Sequence, residues 1–295
     1  MPLDPAQLDA WLAVPPEELA ERSALPFTLC VDRADLHRQF AAGVFGEITR
    51  ARDEGRRISL IMPLGPTGQF PLLAAQINEA GLTLDHVTFF GMDEWLDWQA
   101  RPLPLSHPFS LEGAFHRDFL ELVRSELRPP ASNVIFPSVL ALDRSSEEIE
   151  RRGGVAVTYG GVGFQGHVAF NEPPRTRWTP VTLSQLRDSS TRVVSLSVDT
   201  LIAHAQRRCG GNVFAVPPMA VTLGMRDLLS AERVRLYLDT GSWKGTILRI
   251  LLFSEPDVDY PATLVRDHPD VHVHADAVTA ACPEPSIASL TGRSR

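Results

Sequence analysis

Short, nearly unbroken apolar runs alternate along this chain with segments whose apolar residues recur at helical spacing. Ile58-Ser59-Leu60-Ile61-Met62 shows the first pattern and Leu36, Phe40, Val44 and Ile48 the second. A run that apolar has no wet face, so as a strand it must be covered on both sides. The spacing predicts strands at 29–31, 58–62, 86–90, 133–136, 155–159, 233–238 and 271–274. Helices are expected at 34–53, through Leu72, Leu73 and Ile77 up to Gly81, at 110–127 and at 243–252. Strand–helix alternation of this kind gives an α/β fold, a parallel sheet between helical layers. Ligands of such sheets sit at the carboxyl ends of the strands, so the loops after strands are where chemistry is sought.

Three of those loops stand out. Leu64-Gly65-Pro66-Thr67-Gly68-Gln69-Phe70-Pro71 follows a strand and opens a helix, where free backbone N–H groups suit an anion. An ordinary strand-to-helix turn would have the same composition. Gly91-Met92-Asp93-Glu94-Trp95 ends another strand and offers a carboxylate as a base or as a helix cap. Gly160-Gly161-Val162-Gly163-Phe164-Gln165-Gly166-His167 continues through Val168-Ala169-Phe170-Asn171-Glu172-Pro173. Here glycines allow close approach to a ligand, and an imidazole titrates near neutrality. Glu172, five residues on, could orient it.

Composition removes other classes. The 295 residues carry a formal charge of −8 and are 44% apolar and 22% charged, as in an ordinary globular protein. That balance offers no basic footprint for nucleic acid, and no apolar run is long enough to span a membrane. The first residues show neither a basic nor an apolar signal region. Three scattered cysteines argue for a reducing compartment, and a cytoplasmic location is expected. Residues 1–25 read as a leader, 26–281 as a single domain and 282–295 as a fraying tail. His272 and His274 share a strand face, read as exposed rather than metal-binding.

The loops, in order, resemble the glucosamine-6-phosphate deaminase family. The glycine loop is similar to its G-x-G-x-D-G-H-I-A-F-N-E-P signature, and Gly91-Met92-Asp93-Glu94-Trp95 to N-M-D-E-Y. Pro66-Thr67-Gly68 resembles the start of a P-T-G-G-T-P phosphate loop. Pro217-Pro218-Met219-Ala220-Val221-Thr222-Leu223-Gly224 resembles P-x-x-A-L-T-x-G. Gly241-Ser242-Trp243-Lys244-Gly245 resembles G-x-x-K-A, and residues 107–119 a further family stretch. The resemblance implies a Rossmann-like three-layer sandwich, shared with 6-phosphogluconolactonases. It also implies conversion of an amino-sugar phosphate to a ketose phosphate and ammonia, without metal or redox cofactor. His167, supported by Glu172, would assist ring opening, and Asp93 would move a proton between C2 and C1. Thr67, Gly68, Gly161 and Lys244 would hold a sugar or sugar phosphate. A homo-oligomer is compatible with this reading.

The departures fall on functional positions. Gln165 stands where the family has Asp, and an amide brings no charge to a histidine. Gln69 and Phe70 replace Gly-Thr in the phosphate loop. An ungapped reading through Thr191-Arg192 puts Gln206 at a phosphate-binding arginine, with Arg207 and Arg208 adjacent, and Val194 at an allosteric lysine. Residues 173–190 are an insertion expected to form a lid or rim. Two alternatives follow: an isomerase of a different sugar, with no 6-phosphate or with another group there and with Gln69 and Phe70 filling the pocket, or a silent sugar-binding protein.

Of 28 basic residues, 27 are arginine, and Lys244 is the single lysine. Arg and Lys differ in shape and hydration, so a lysine retained in a substrate-anchoring segment is expected to matter. Lys244→Arg should weaken sugar-phosphate binding by roughly tenfold, about 1.4 kcal/mol, in a titration. Unchanged affinity would mark Lys244 as a chance survivor.

Overall fold

A computed structural model describes residues 3–174 and 178–283. Ten strands form two sheets. In chain order they are β1 (Phe27–Cys30), β2 (Ile58–Met62), β3 (Val87–Gly91), β4 (Asp93–Leu96) and β5 (Val134–Ile135), then β6 (Val157–Gly160), β7 (Arg192–Ser195), β8 (Met219–Thr222), β9 (Arg233–Leu238) and β10 (Val271–Asp276). Seven are parallel neighbours in the order β1-β10-β9-β6-β2-β3-β5. The chain runs outward from β2 through β3 to β5, then returns to β6 on the other side of β2. The crevice at the carboxyl ends of β2 and β6 is therefore the switch point where such sheets bind ligands.

Helices of eight residues or more are α1 (Pro5–Leu12), α2 (Arg33–Asp53), α3 (Gln69–Ala80), α4 (Leu111–Asp118), α5 (Arg144–Arg151), α6 (Val198–Arg208) and α7 (Gly245–Phe253). Strand pleating sends successive side chains to opposite faces. Ile58, Leu60 and Met62 join the core under α2 and α3, whereas Ile61 joins the core under α7. Asp32 caps α2, and α3 ends on Gly81 at φ 58°, the left-handed conformation glycine adopts cheaply.

Three findings differ from the periodicity. The helix expected over 110–127 stops at Asp118 and continues as 3-10 turns. A second, antiparallel sheet, β4-β8-β7, was invisible to a search for long apolar runs, because its strands have four residues each. His272 and His274 lie on a half-buried face. His274 stacks on Tyr237 at 4.5 Å, and His272 meets Thr28 Oγ1 at 2.8 Å. No helix among the described residues is long and apolar enough to cross a membrane.

Residues 3–25 lie against α7, with Val14, Leu19 and Leu25 in the core. The fully buried guanidinium of Arg249 on α7 ties the two ends of the fold together. It donates to the carbonyls of Val14, Gly245, Ala280 and Ala281. Residues 284–295 of the expected tail, and 175–177 of the insertion, lie outside the described residues.

Arg249→Ala would leave several buried carbonyls unpaired and is expected to cost on the order of 3 kcal/mol. A urea denaturation midpoint equal to wild type would contradict this role.

Candidate active site

A cleft of about 380 Å³ opens at the switch point. Its walls come from the loops after β2, β3, β6 and β9, from the start of α2 and from one face of α6. Two loops meet at its floor. A Cβ on Gly161 would lie 2.2 Å from the carbonyl oxygen of Gly65, so position 161 tolerates only glycine. A Cβ on Gly163 would lie 1.8 Å from the His167 ring. These glycines let the two loops and the imidazole approach one another.

Asp93 and His167 both line the cleft, and they are only 7% and 8% exposed. Burial, and then the neighbouring charge of Glu94, pushes the Asp93 carboxyl up to about 8. Glu94 is spent on structure: it accepts from the amides of Trp95, Leu111 and Glu112 and from the Ser110 hydroxyl, anchoring the start of α4. Burial, followed by repulsion from His204 and Lys244, pulls His167 down to about 3, so its imidazole is neutral. The turn after it is pinned by Asn171, whose amide donates to Val168 and Leu223 carbonyls. Ala169 holds φ 52°, a strained value for a residue with a Cβ.

Cations crowd the opposite wall. Lys244 is 6% exposed, and burial lowers it to about 8 against the opposing pull of Asp239. Lys244 Nζ and Arg207 Cζ lie 5.2 Å and 5.3 Å from the Trp243 ring. Burial alone would raise Asp239, but His37 at 3.1 Å, Lys244 and Arg33 bring it below its usual value. Arg33, Arg117 and Arg208 also reach the cleft. Among the described residues no three His, Cys, Asp or Glu side chains are arranged to hold a metal.

No family model matches the chain. Relatives do. The chain is 34% identical over 233 residues to a glucosamine-6-phosphate deaminase of Pectobacterium atrosepticum, covering 76% of this chain and 78% of that protein. The chain belongs to the glucosamine-6-phosphate deaminase family. A deaminase of that name from Caenorhabditis elegans is 31% identical over 74% of this chain and 77% of its own length. Among solved structures, a monomeric glucosamine-6-phosphate deaminase superposes with a TM-score of 0.73 at 23% identity, covering 86% of this chain and 98% of that one. A 6-phosphogluconolactonase from Thermotoga maritima gives 0.59 at 18% identity, over 85% and 98% of the two chains.

Within this family member the cleft gathers Thr67, Asp93, Gly161, His167, Arg207 and Lys244. Others singled out in the sequence turn elsewhere. Gln69 is fully buried and donates to the Pro66 carbonyl at 2.8 Å, while Phe70 packs on Phe115 and Phe119. Neither residue lines the cleft. Gly68 makes room for the His37 ring, which a Cβ would strike at 2.1 Å. Glu172 accepts from the Ser197 amide at 2.7 Å and hydroxyl at 3.0 Å, fixing the start of α6. Among the described residues His167 Nδ1 has no hydrogen-bond partner. Gln165 donates to Asp199 and faces a neighbouring apolar cavity. Arg192, the first residue of β7, donates from Nη1 to the Ser190 carbonyl and does not line the cleft. The described part of 173–190 does not line the cleft either; its helix Leu183–Arg187 packs on Met225–Leu229.

Helix phase decides which residues of α6 face the cleft. Thr200, Ala203, His204 and Arg207 recur at spacings of three and four and form one face of α6 on the cleft; Gln206 lies off that face. This spacing was readable in the sequence and would have found His204. Arg33 and Asp239 had no such signal, because their approach depends on β1 and β9 both pairing with β10, which lies between them.

The shifts give a stability test. Asp93 holds in the folded state a proton that the unfolded chain loses above about 4. Its ionisation therefore costs stability as pH rises from about 4 toward 8. Asp93→Asn should raise the melting temperature, by a margin that widens over that window and then levels. His167 works oppositely: its neutral state supports the fold above 6.5, and that support is lost as pH falls toward 3. A margin for Asp93→Asn that does not change between pH 4 and pH 8 would refute the burial of this carboxyl.

Proposed function

We propose that this cleft isomerises and deaminates an amino-sugar phosphate, converting glucosamine 6-phosphate to fructose 6-phosphate and ammonia. One observation carries the reading: Asp93 and His167, both dry and titratable, share a cleft with Arg207 and Lys244. Charge-assisted contacts are the strong ones for phosphate. Arg207, Lys244, Thr67 and amides around Gly161 hold the phosphate end. Neutral His167 takes the anomeric hydroxyl proton as the ring opens. Ionised Asp93 removes the C2 proton and returns it to C1, leaving a C2 ketimine that water hydrolyses to ketose and ammonia. Burial keeps Asp93 protonated near neutrality, and a substrate ammonium beside it favours the carboxylate.

The phosphate-free alternative loses the feature that motivated it, since Gln69 and Phe70 turn into the core. A silent sugar-phosphate binder draws on a different observation, that no carboxylate bonds to His167 Nδ1.

Incubation with glucosamine 6-phosphate is expected to release ammonia and ketose in equal amounts. The value of kcat/KM should rise toward pH 8 as Asp93 ionises and fall beyond it as Lys244 loses its proton. Asp93→Asn should slow turnover by about 100-fold or more. A thermal shift with the sugar phosphate but no ammonia would establish the silent binder instead, and neither response would overturn both.

A further inference from the structure

We propose that His204 is a second acid–base residue of this cleft and delivers the proton that the ring oxygen takes when the sugar opens. The inference rests on the amino-sugar-phosphate reading above and assigns a step to a residue that the sequence motifs do not mark.

Geometry joins the two histidines. Both line the same cleft, His167 from the loop after β6 and His204 from α6. The apolar rings of Trp95 and Phe170 pack between them, so each histidine acts on the substrate from its own wall. The His204 ring meets Trp95 at 4.9 Å and 85°, Trp95 meets Phe170 at 4.8 Å, and Phe170 lies 6.4 Å from the His167 ring. Neither Nδ1 has a hydrogen-bond partner among the described residues, so no acceptor there commits either ring to one tautomer. Gln165 cannot serve the sugar, because it is turned to Asp199 and the neighbouring cavity.

Charge explains why His204 acts only when substrate is present. Arg207 and Arg208 face it from its own helix, Lys244 from the turn into α7, and His167 from the glycine loop. Trp95 on β4 is uncharged; Asp93 on β4, Arg117 and Asp118 on α4, and Arg33 and Asp239 at the ends of neighbouring elements line the same cleft. Burial, and then Arg207, Arg208 and Lys244, hold His204 down to about 4. A phosphate ester brings a charge of about −1.5 to −2 to those cations. With the repulsion neutralised, His204 takes a proton from solvent and becomes a competent acid.

The step then balances. The C1–O5 bond breaks with its electron pair passing to O5, which takes the His204 proton. The anomeric O1–H proton goes to His167, and its bonding pair becomes the second C1–O1 bond. His167 gives its proton back to O1 as the enolamine forms, and His204 regains one from solvent. Two imidazoles of opposite protonation state thus do what an imidazole and a carboxylate do elsewhere.

The test uses His204→Gln in the full chain. Glucosamine 6-phosphate turnover should fall by about 100-fold or more, with KM within about threefold of wild type. Exchange between the sugar's anomers, followed by NMR, should slow in proportion. Inorganic phosphate should still raise the variant's melting temperature, which separates loss of the acid from loss of the fold. Calorimetry near pH 6 in two buffers of different ionisation enthalpy should show proton uptake when wild type binds inorganic phosphate, and less for the variant. Turnover within about threefold of wild type, or the same proton uptake in both proteins, would overturn the proposal. If wild type leaves glucosamine 6-phosphate unchanged, the amino-sugar reading fails, and proton uptake with inorganic phosphate alone decides whether His204 is charged by an anion.

Discussion

The floor of the cleft is a contact between two backbones, and the site depends on it. The loop after β2 and the loop after β6 touch where Gly161 lies against the Gly65 carbonyl. They can do so because β2 and β6 are adjacent and parallel, which puts both carboxyl ends on one side of the sheet. The chain's reversal between these strands leaves a crevice there rather than a crossing helix. Thr67 and His167 stand on the two loops, and the chain leaving β3 and β9 on either side leads to Asp93, which opens β4, and to Lys244. A side chain at position 161 would force the loops apart and separate groups that work as a unit.

Burial then sets the electrostatic character of what the loops hold. Asp93, His167 and Lys244 are each less than a tenth exposed, and in each case burial is the largest cause of the shift toward neutrality. A dry carboxyl and a dry imidazole are shielded from bulk water. The cations opposite them are kept charged by Asp239, itself held ionised by His37 and Arg33. The cleft wall carries several arginines and Lys244, the arrangement that suits an anion. Carboxylates next to the site have other duties: Glu94 organises the start of α4 and Glu172 the start of α6.

Much of the scaffold was legible in the chain. Strands β2 and β9 were readable to the residue, and Gly81 marked the end of α3, because burial on both faces and helix capping leave local signatures. The small sheet left none: its strands are four residues long and are specified by pairing with one another. In the site, Asp93, His167 and Lys244 stood on strand-to-loop junctions and could be named. His204 carried a helical spacing with Arg207 that a motif search passed over.

The sequence alone determined a parallel α/β sheet, the loops that would carry chemistry and the family they resemble, since apolar periodicity and glycine placement are local properties. Tertiary structure decided which side chains face the cleft. Gln69 turns into the core, Glu172 to Ser197, Gln165 to Asp199, and Arg207 rather than Gln206 faces the cleft. The orientation of each is set by partners far along the chain or by the phase of a helix against the sheet. No local pattern states these, because they are fixed only when the strands are in register and the helices are packed.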